Sequence, residues 1–144
     1  MEIGKLLRAK DDTSVPDKFT IYIPDRDRKQ RAIKDIGTWI DSAVQLMVDI
    51  NGGCTRLAVA KGHWVTDTEE FVAEDTTIIY SYLLRPENFE SDFYRIIEFF
   101  HAFGRETDQD ALFAEMSYFD GENYVQEAFE IPHANYLAPP KASK

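Results

Sequence analysis

Phe19, Ile21 and Ile23 alternate with Thr20 and Tyr22, the period of a half-buried strand, and Pro24 closes the run. Past a charged stretch, Ile36, Ile40, Val44, Met47 and Ile50 recur at steps of three and four, with Ala43 beside them. That spacing predicts a helix over 35–51. Asp35 is its expected N-cap. Gly37 weakens the first turn by about 1 kcal/mol relative to alanine. Gly52-Gly53 ends the helix, because glycine takes the left-handed conformation past a helix end at little cost. Residues 55–65 and 71–84 read as strands on either side of a polar turn at 66–70; β-branched and aromatic residues dominate the second. Arg85-Pro86 breaks it. Phe89, Phe93, Ile96, Ile97, Phe100 and Phe103 form the apolar stripe of a second helix over 89–103, with Gly104 as its stop. Strands over 111–119 and 123–131 follow. They meet at Asp120-Gly121, the signal of a type I′ turn with positive φ at both central positions.

The element order is β-α-β-β-α-β with an added C-terminal strand. It predicts an α+β, ferredoxin-like domain with an antiparallel sheet and two helices on one face. The expected strand order is 4-1-3-2, with the fifth strand beside the fourth. A single domain spans 19–131, after an irregular segment 1–18 and before a flexible tail 132–144. The topology brings three loops to one end: 25–34, 66–70 and 104–110. The 52–53 and 85–86 connections lie at the other end. Tyr22, Tyr80 and Tyr82 fall on the face away from the helices. An exposed aromatic face usually has a purpose, so a homo-oligomer closing through it is expected.

Composition narrows the function. The 144 residues carry a net charge of −10, and 44% are hydrophobic. Phosphate binding needs clustered cations, so direct nucleic-acid binding and attachment to an anionic membrane are not expected. The charge is uneven. Residues 106–140 hold eight acids and no base, whereas residues 1–35 hold nine bases and seven acids. The basic 26–34 loop should therefore meet the acidic 106–110 loop, and the acidic last strands offer an edge to a basic protein partner. The lone Cys54 leaves no intrachain disulfide, in keeping with a cytoplasmic protein. Residues 1–12 lack the apolar run of a signal peptide, and no stretch approaches the roughly 18 apolar residues of a membrane span. His63, His101 and His133 lie far apart. Glu69-Glu70 and Glu74-Asp75 lack the spacing of a calcium loop. No metal and no cofactor is expected, and no nucleophile-elbow, phosphate-loop or dinucleotide motif occurs.

Tyr22-Ile-Pro with Arg26-Asp27, Gly62-x-Trp64, Ile79-Tyr-Ser-Tyr82 and Phe103-Gly-Arg-Glu-Thr-Asp-Gln109 carry a resemblance. Over about residues 19–125 the chain resembles an uncharacterised family of small bacterial proteins with a Gly-Arg-Glu-Thr-Asn-Gln-type motif. Asp108 stands where that family tends to have asparagine. The resemblance implies an ordered domain and no particular reaction.

The 104–109 loop is the leading candidate site. Arg105 can clamp a carboxylate or phosphate, Glu106 can move a proton if partly buried, and Thr107 and Gln109 can orient a ligand. The plainer alternative has Arg105 paired with an acid, and Thr107 and Gln109 satisfying loop backbone groups. Arg26, Asp27 and Arg28 form a second candidate, near the first helix's N-terminus, where an anion can be received; the alternative is a solvated charged loop. Trp64 can stack on a ligand, or can pack in the core or an interface. With no catalytic motif, the main expectation is a non-catalytic oligomeric binding or regulatory module. One alternative is a small-molecule enzyme of the dimeric α+β-barrel kind, with a cleft near Arg105 and Glu106. Another is an acidic phage-type inhibitor that mimics nucleic acid.

Overall fold

A computed structural model describes residues 17–66, 68–83, 86–109 and 111–132. The expected irregular start and flexible tail fall outside these residues, apart from Asp17, Lys18 and Pro132. Arg85, and the side chain of Phe89, fall outside as well. The chain runs β1 (Lys18–Pro24), α1 (Ile36–Asn51), β2 (Thr55–Val65), β3 (Phe71–Tyr82), α2 (Pro86–Glu106), β4 (Ala111–Phe119) and β5 (Tyr124–Pro132). The five strands form one sheet in the order β2-β3-β1-β4-β5, with every neighbouring pair antiparallel. The α+β class, the antiparallel sheet and the two helices are as the patterning predicts.

Period-two alternation sends Phe19, Ile21 and Ile23 of β1, Ile79 of β3, and Leu112 and Ala114 of β4 to the helix side. There they pack with Ala43, Met47 and Ile50 of α1 and Ile96, Phe100 and Phe103 of α2. Trp39 fastens the two helices together, meeting Phe99 and Phe103 edge-on at 5.9 and 5.3 Å. Full burial of each such side chain contributes about 1.5–3 kcal/mol, so this face sets the fold.

The element ends depart from expectation in five places. Asp35 stands at the N-cap of α1, but its side chain makes no cap hydrogen bond; its carbonyl accepts from Thr38 and Trp39 N–H instead. Gly52 takes the left-handed conformation at φ 81° and donates to the Val48 carbonyl, as expected. Gly104 does not stop α2, which continues to Glu106. The stop comes from Thr107, whose N–H and hydroxyl both donate to the Phe103 carbonyl, at 2.9 and 2.6 Å. Asp108 then takes the left-handed turn at φ 56°, which short polar side chains tolerate best after glycine. At its other end α2 begins on Pro86, whose missing N–H is no loss at a first helical position. β3 ends at Tyr82, two residues early, and the next residue, Leu83, donates its N–H to Asp17. The 120–123 turn is not type I′, because only Gly121 has positive φ there; the Asp120 carboxylate closes it by accepting from Glu122 and Asn123 N–H.

Candidate functional site

The same alternation sends Glu74, Thr76, Ile78, Tyr80 and Tyr82 to the face away from the helices. Register brings Gly62 opposite Glu74, Ala60 opposite Thr76, and Tyr22 between Ile78 and Phe113. Tyr22 and Phe113 meet edge-on at 5.7 Å. Near the 25–34 loop this face sinks into a cleft of about 790 Å³, a volume typical of ligand sites.

Glu74 is the chemical feature of the cleft. The residue is 8% exposed. Burial, reinforced by the like charge of Asp25 and opposed by Arg26, pushes its carboxyl up to about 8. An acid held near neutrality inside a cleft is suited to proton transfer or to meeting a cation. Tyr22, which also lines the cleft, is raised too, by burial and then by its hydrogen bond to Glu115.

Loop geometry builds the rim. Asp27 organises the first loop: its carboxylate accepts from the Lys29 and Arg31 N–H groups and from the Arg31 guanidinium at 2.8–2.9 Å. Burial works against its charge, yet these bonds, led by those from Arg31, hold it below the usual carboxylate range. Gln30 turns the chain at φ 63°. Gln109, 6% exposed, donates from Nε2 to the Arg26 carbonyl at 2.9 Å and so ties the 104–110 loop to the 25–34 loop. Arg28 pairs with Asp108 at 3.0 Å, and Arg31 reaches the same carboxylate at 3.7 Å. The basic loop therefore meets acid from the 106–110 loop. Such exposed pairs contribute about 0–1 kcal/mol each and organise more than they stabilise. Thr66 and Thr68 line the cleft too, so the three expected loops converge there.

Of the predicted residues, Arg26, Asp27, Arg28, Trp64 and Gln109 line the cleft. Thr107 is buried beneath it, holding the end of α2. Arg105 and Glu106 are exposed on the last turn of α2 and are not among the lining residues. By sequence, Glu74 stands out only as part of the Glu74-Asp75 pair, which lacks the spacing of a calcium loop. Its signal was a lone acid on the sheet face that β3 shares with Ile78 and Tyr80, opposite a glycine. Among the described residues, no group of three His, Cys, Asp or Glu could hold a metal ion. Cys54 is half-buried at the other end of the sheet, near the Val44 carbonyl, and burial raises its thiol. No helix among the described residues is long and apolar enough to cross a membrane.

No family model and no curated protein matches the chain. Among solved structures, a phage SAM lyase in complex with S-methyl-5'-thioadenosine matches at a TM-score of 0.57. It is 14% identical, and the match covers 85% of this chain and 93% of that one. A phage SAM lyase in its apo state matches at a TM-score of 0.52, also 14% identical, over 81% and 89% of the two chains. The likeness is one of fold. It overturns the expectation of a non-catalytic binding or regulatory module, because the matched chains are an enzyme, and it favours the small-molecule enzyme alternative. The cleft lies around Glu74 rather than near Arg105 and Glu106, because cross-strand register gathers the face of β3 there while the end of α2 points into solvent.

Proposed function

We propose that the chain is a lyase acting on S-adenosylmethionine or a closely related sulfonium compound, with the cleft around Glu74 as its active site. The neighbour order β5-β4-β1-β3-β2 supports reading the fold as a ferredoxin-like arrangement with β5 added at one edge. The observation that carries the functional reading is the nearly buried Glu74 carboxyl on an aromatic sheet face, on a fold like that of a SAM lyase. A sulfonium is permanently cationic. Tyr22 and Phe113 offer π faces that attract cations. An opposite charge within about 4–6 Å favours an ionised carboxyl, so the arriving cation expels the Glu74 proton to solvent. Cleavage breaks the bond between sulfur and the methionyl γ-carbon as the substrate's own carboxylate oxygen bonds to that carbon, so the methionyl fragment leaves as a cyclic ester. The electron pair stays on sulfur, and the cation becomes a neutral thioether. The nearly buried setting of Glu74 favours a step in which charge disappears. Attraction to Glu74 ends with the charge, which lets the product leave.

Purified protein incubated with S-adenosylmethionine is expected to release S-methyl-5'-thioadenosine well above the rate without enzyme, followed by chromatography with mass detection. Binding with no turnover would retire the lyase reading. The same reading places a second copy of this chain over the rest of the open face, where Tyr82, Phe119 and Tyr124 remain about half exposed. Light scattering should then give the mass of a dimer or higher oligomer, and a strict monomer would contradict it.

A further inference from the structure

The face of β2 that borders the cleft is built from Ala60, Gly62 and Trp64. Glycine in a strand interior gives up side-chain packing, and it often marks a close approach. Here the close approach is specific. A Cβ on Gly62 would stand 3.0 Å from Thr76 Oγ1, 3.6 Å from Glu74 Cγ and 3.7 Å from Trp64 Cζ3. The tight neighbour is Thr76; the Glu74 side chain and the Trp64 ring both lie at ordinary contact distance from that position, so the two border the same space over the Gly62 backbone. Trp64 nevertheless stays 37% exposed, so part of the ring is open to the cleft. The other tryptophan, Trp39, is partly buried between the helices and is not among the residues lining the cleft. A large flat π surface beside a nearly buried acid fits a ligand with a planar base at one end and a cation close by.

We propose that Trp64 is the stacking wall for the adenine base of the substrate, across the open backbone of Gly62 from Glu74. This inference rests on the proposed action on an adenosyl sulfonium and names the residue that reads its base. Stacking recognises the base, whereas Glu74 recognises the charge. The two parts of the ligand should therefore be separable by substitution.

The test uses three probes: S-methyl-5'-thioadenosine, which has the base and no charge; S-methylmethionine, which has the sulfonium and no base; and S-adenosylmethionine. S-Methyl-5'-thioadenosine is expected to change the Trp64 fluorescence of the full chain, and S-methylmethionine is expected to leave it unaltered. Calorimetry should show Trp64→Ala binding S-methyl-5'-thioadenosine about 5- to 150-fold more weakly, the usual cost of losing one base–aromatic stack. Trp64→Phe keeps a ring and should recover most of that affinity. Gly62→Val should weaken the same ligand by filling the space that the indole and Glu74 border. Thermal melts of the variants confirm folding, which a partly exposed side chain should not control. Wild-type affinity in Trp64→Ala, equal weakness in Trp64→Phe, or no binding of S-methyl-5'-thioadenosine by the unaltered protein would each overturn the proposal. The two readings fail separately. Trp64-dependent binding without cleavage retires the lyase and keeps the wall. Cleavage by Trp64→Ala with unchanged KM keeps the lyase and removes the wall.

Discussion

Replacing Glu74 with glutamine is expected to lower kcat/KM for S-adenosylmethionine cleavage by roughly one and a half to three and a half orders of magnitude. Glutamine keeps the shape and removes the charge. Truncating one partner of a buried, hydrogen-bonded charge pair costs about 2–5 kcal/mol, which gives that range. Glu74 is 8% exposed, so little solvent is available to replace the lost carboxylate. The neutral product has no cation to pair, so Glu74→Gln should bind S-methyl-5'-thioadenosine almost as the unaltered protein does. Parallel kinetics and calorimetry on both proteins check this. Wild-type turnover in the variant, or equal losses for substrate and product, would rule out a charge-recognising role.

The same substitution should stabilise the fold in neutral and mildly alkaline solution. In the unfolded chain Glu74 titrates near 4.5, and in the folded chain at about 8. Between those values the native state holds a proton that the unfolded state has released. Stability therefore falls as pH rises from about 4.5 to about 8 and is level beyond, the reverse of the usual carboxylate behaviour. Each pH unit in that window is worth up to about 1.4 kcal/mol. The cleft opens to water, so the summed cost is on the order of 2–4 kcal/mol, below the full product of shift and slope. Urea unfolding at intervals from pH 5 to pH 9 should show Glu74→Gln gaining on the wild type as pH rises and overtaking it by pH 8. Parallel stability curves would mean that the site does not hold Glu74 protonated. A residue that destabilises its fold while serving a ligand is what a functional site leads one to expect.

How far these features could be read beforehand depends on the range of the forces behind them. The α1 pattern and Gly52 predicted the helix and its stop, because periodicity and left-handed glycine act within a few residues. Gly104 misled for the same reason in reverse. A glycine is only a permissive stop, and α2 continues because Phe103 and the turns before it are buried against the sheet, so tertiary packing extends it to Glu106. Gln109 was recognised as a ligand candidate, and the structure gives it the task of holding two loops together. Arg105 and Glu106 looked chemical by residue type, yet the last turn of α2 leaves both in solvent.

Glu74 shows the other limit. Its alternation with Ile79 was visible, so its place on the face away from the helices could be deduced. Its ionisation could not. That depends on burial in the cleft, on Asp25 arriving from the β1 end, and on Gly62 standing opposite across the β2–β3 register. The order of elements, the identity of the core residues and the meeting of the three loops follow from local periodicity and from the handedness of strand connections, which a single chain carries in its own pattern. The cleft, the raised carboxyl and the neighbouring indole arise from side chains distant in sequence and close in space. Desolvation and charge interaction depend on that spacing, and no periodicity encodes it.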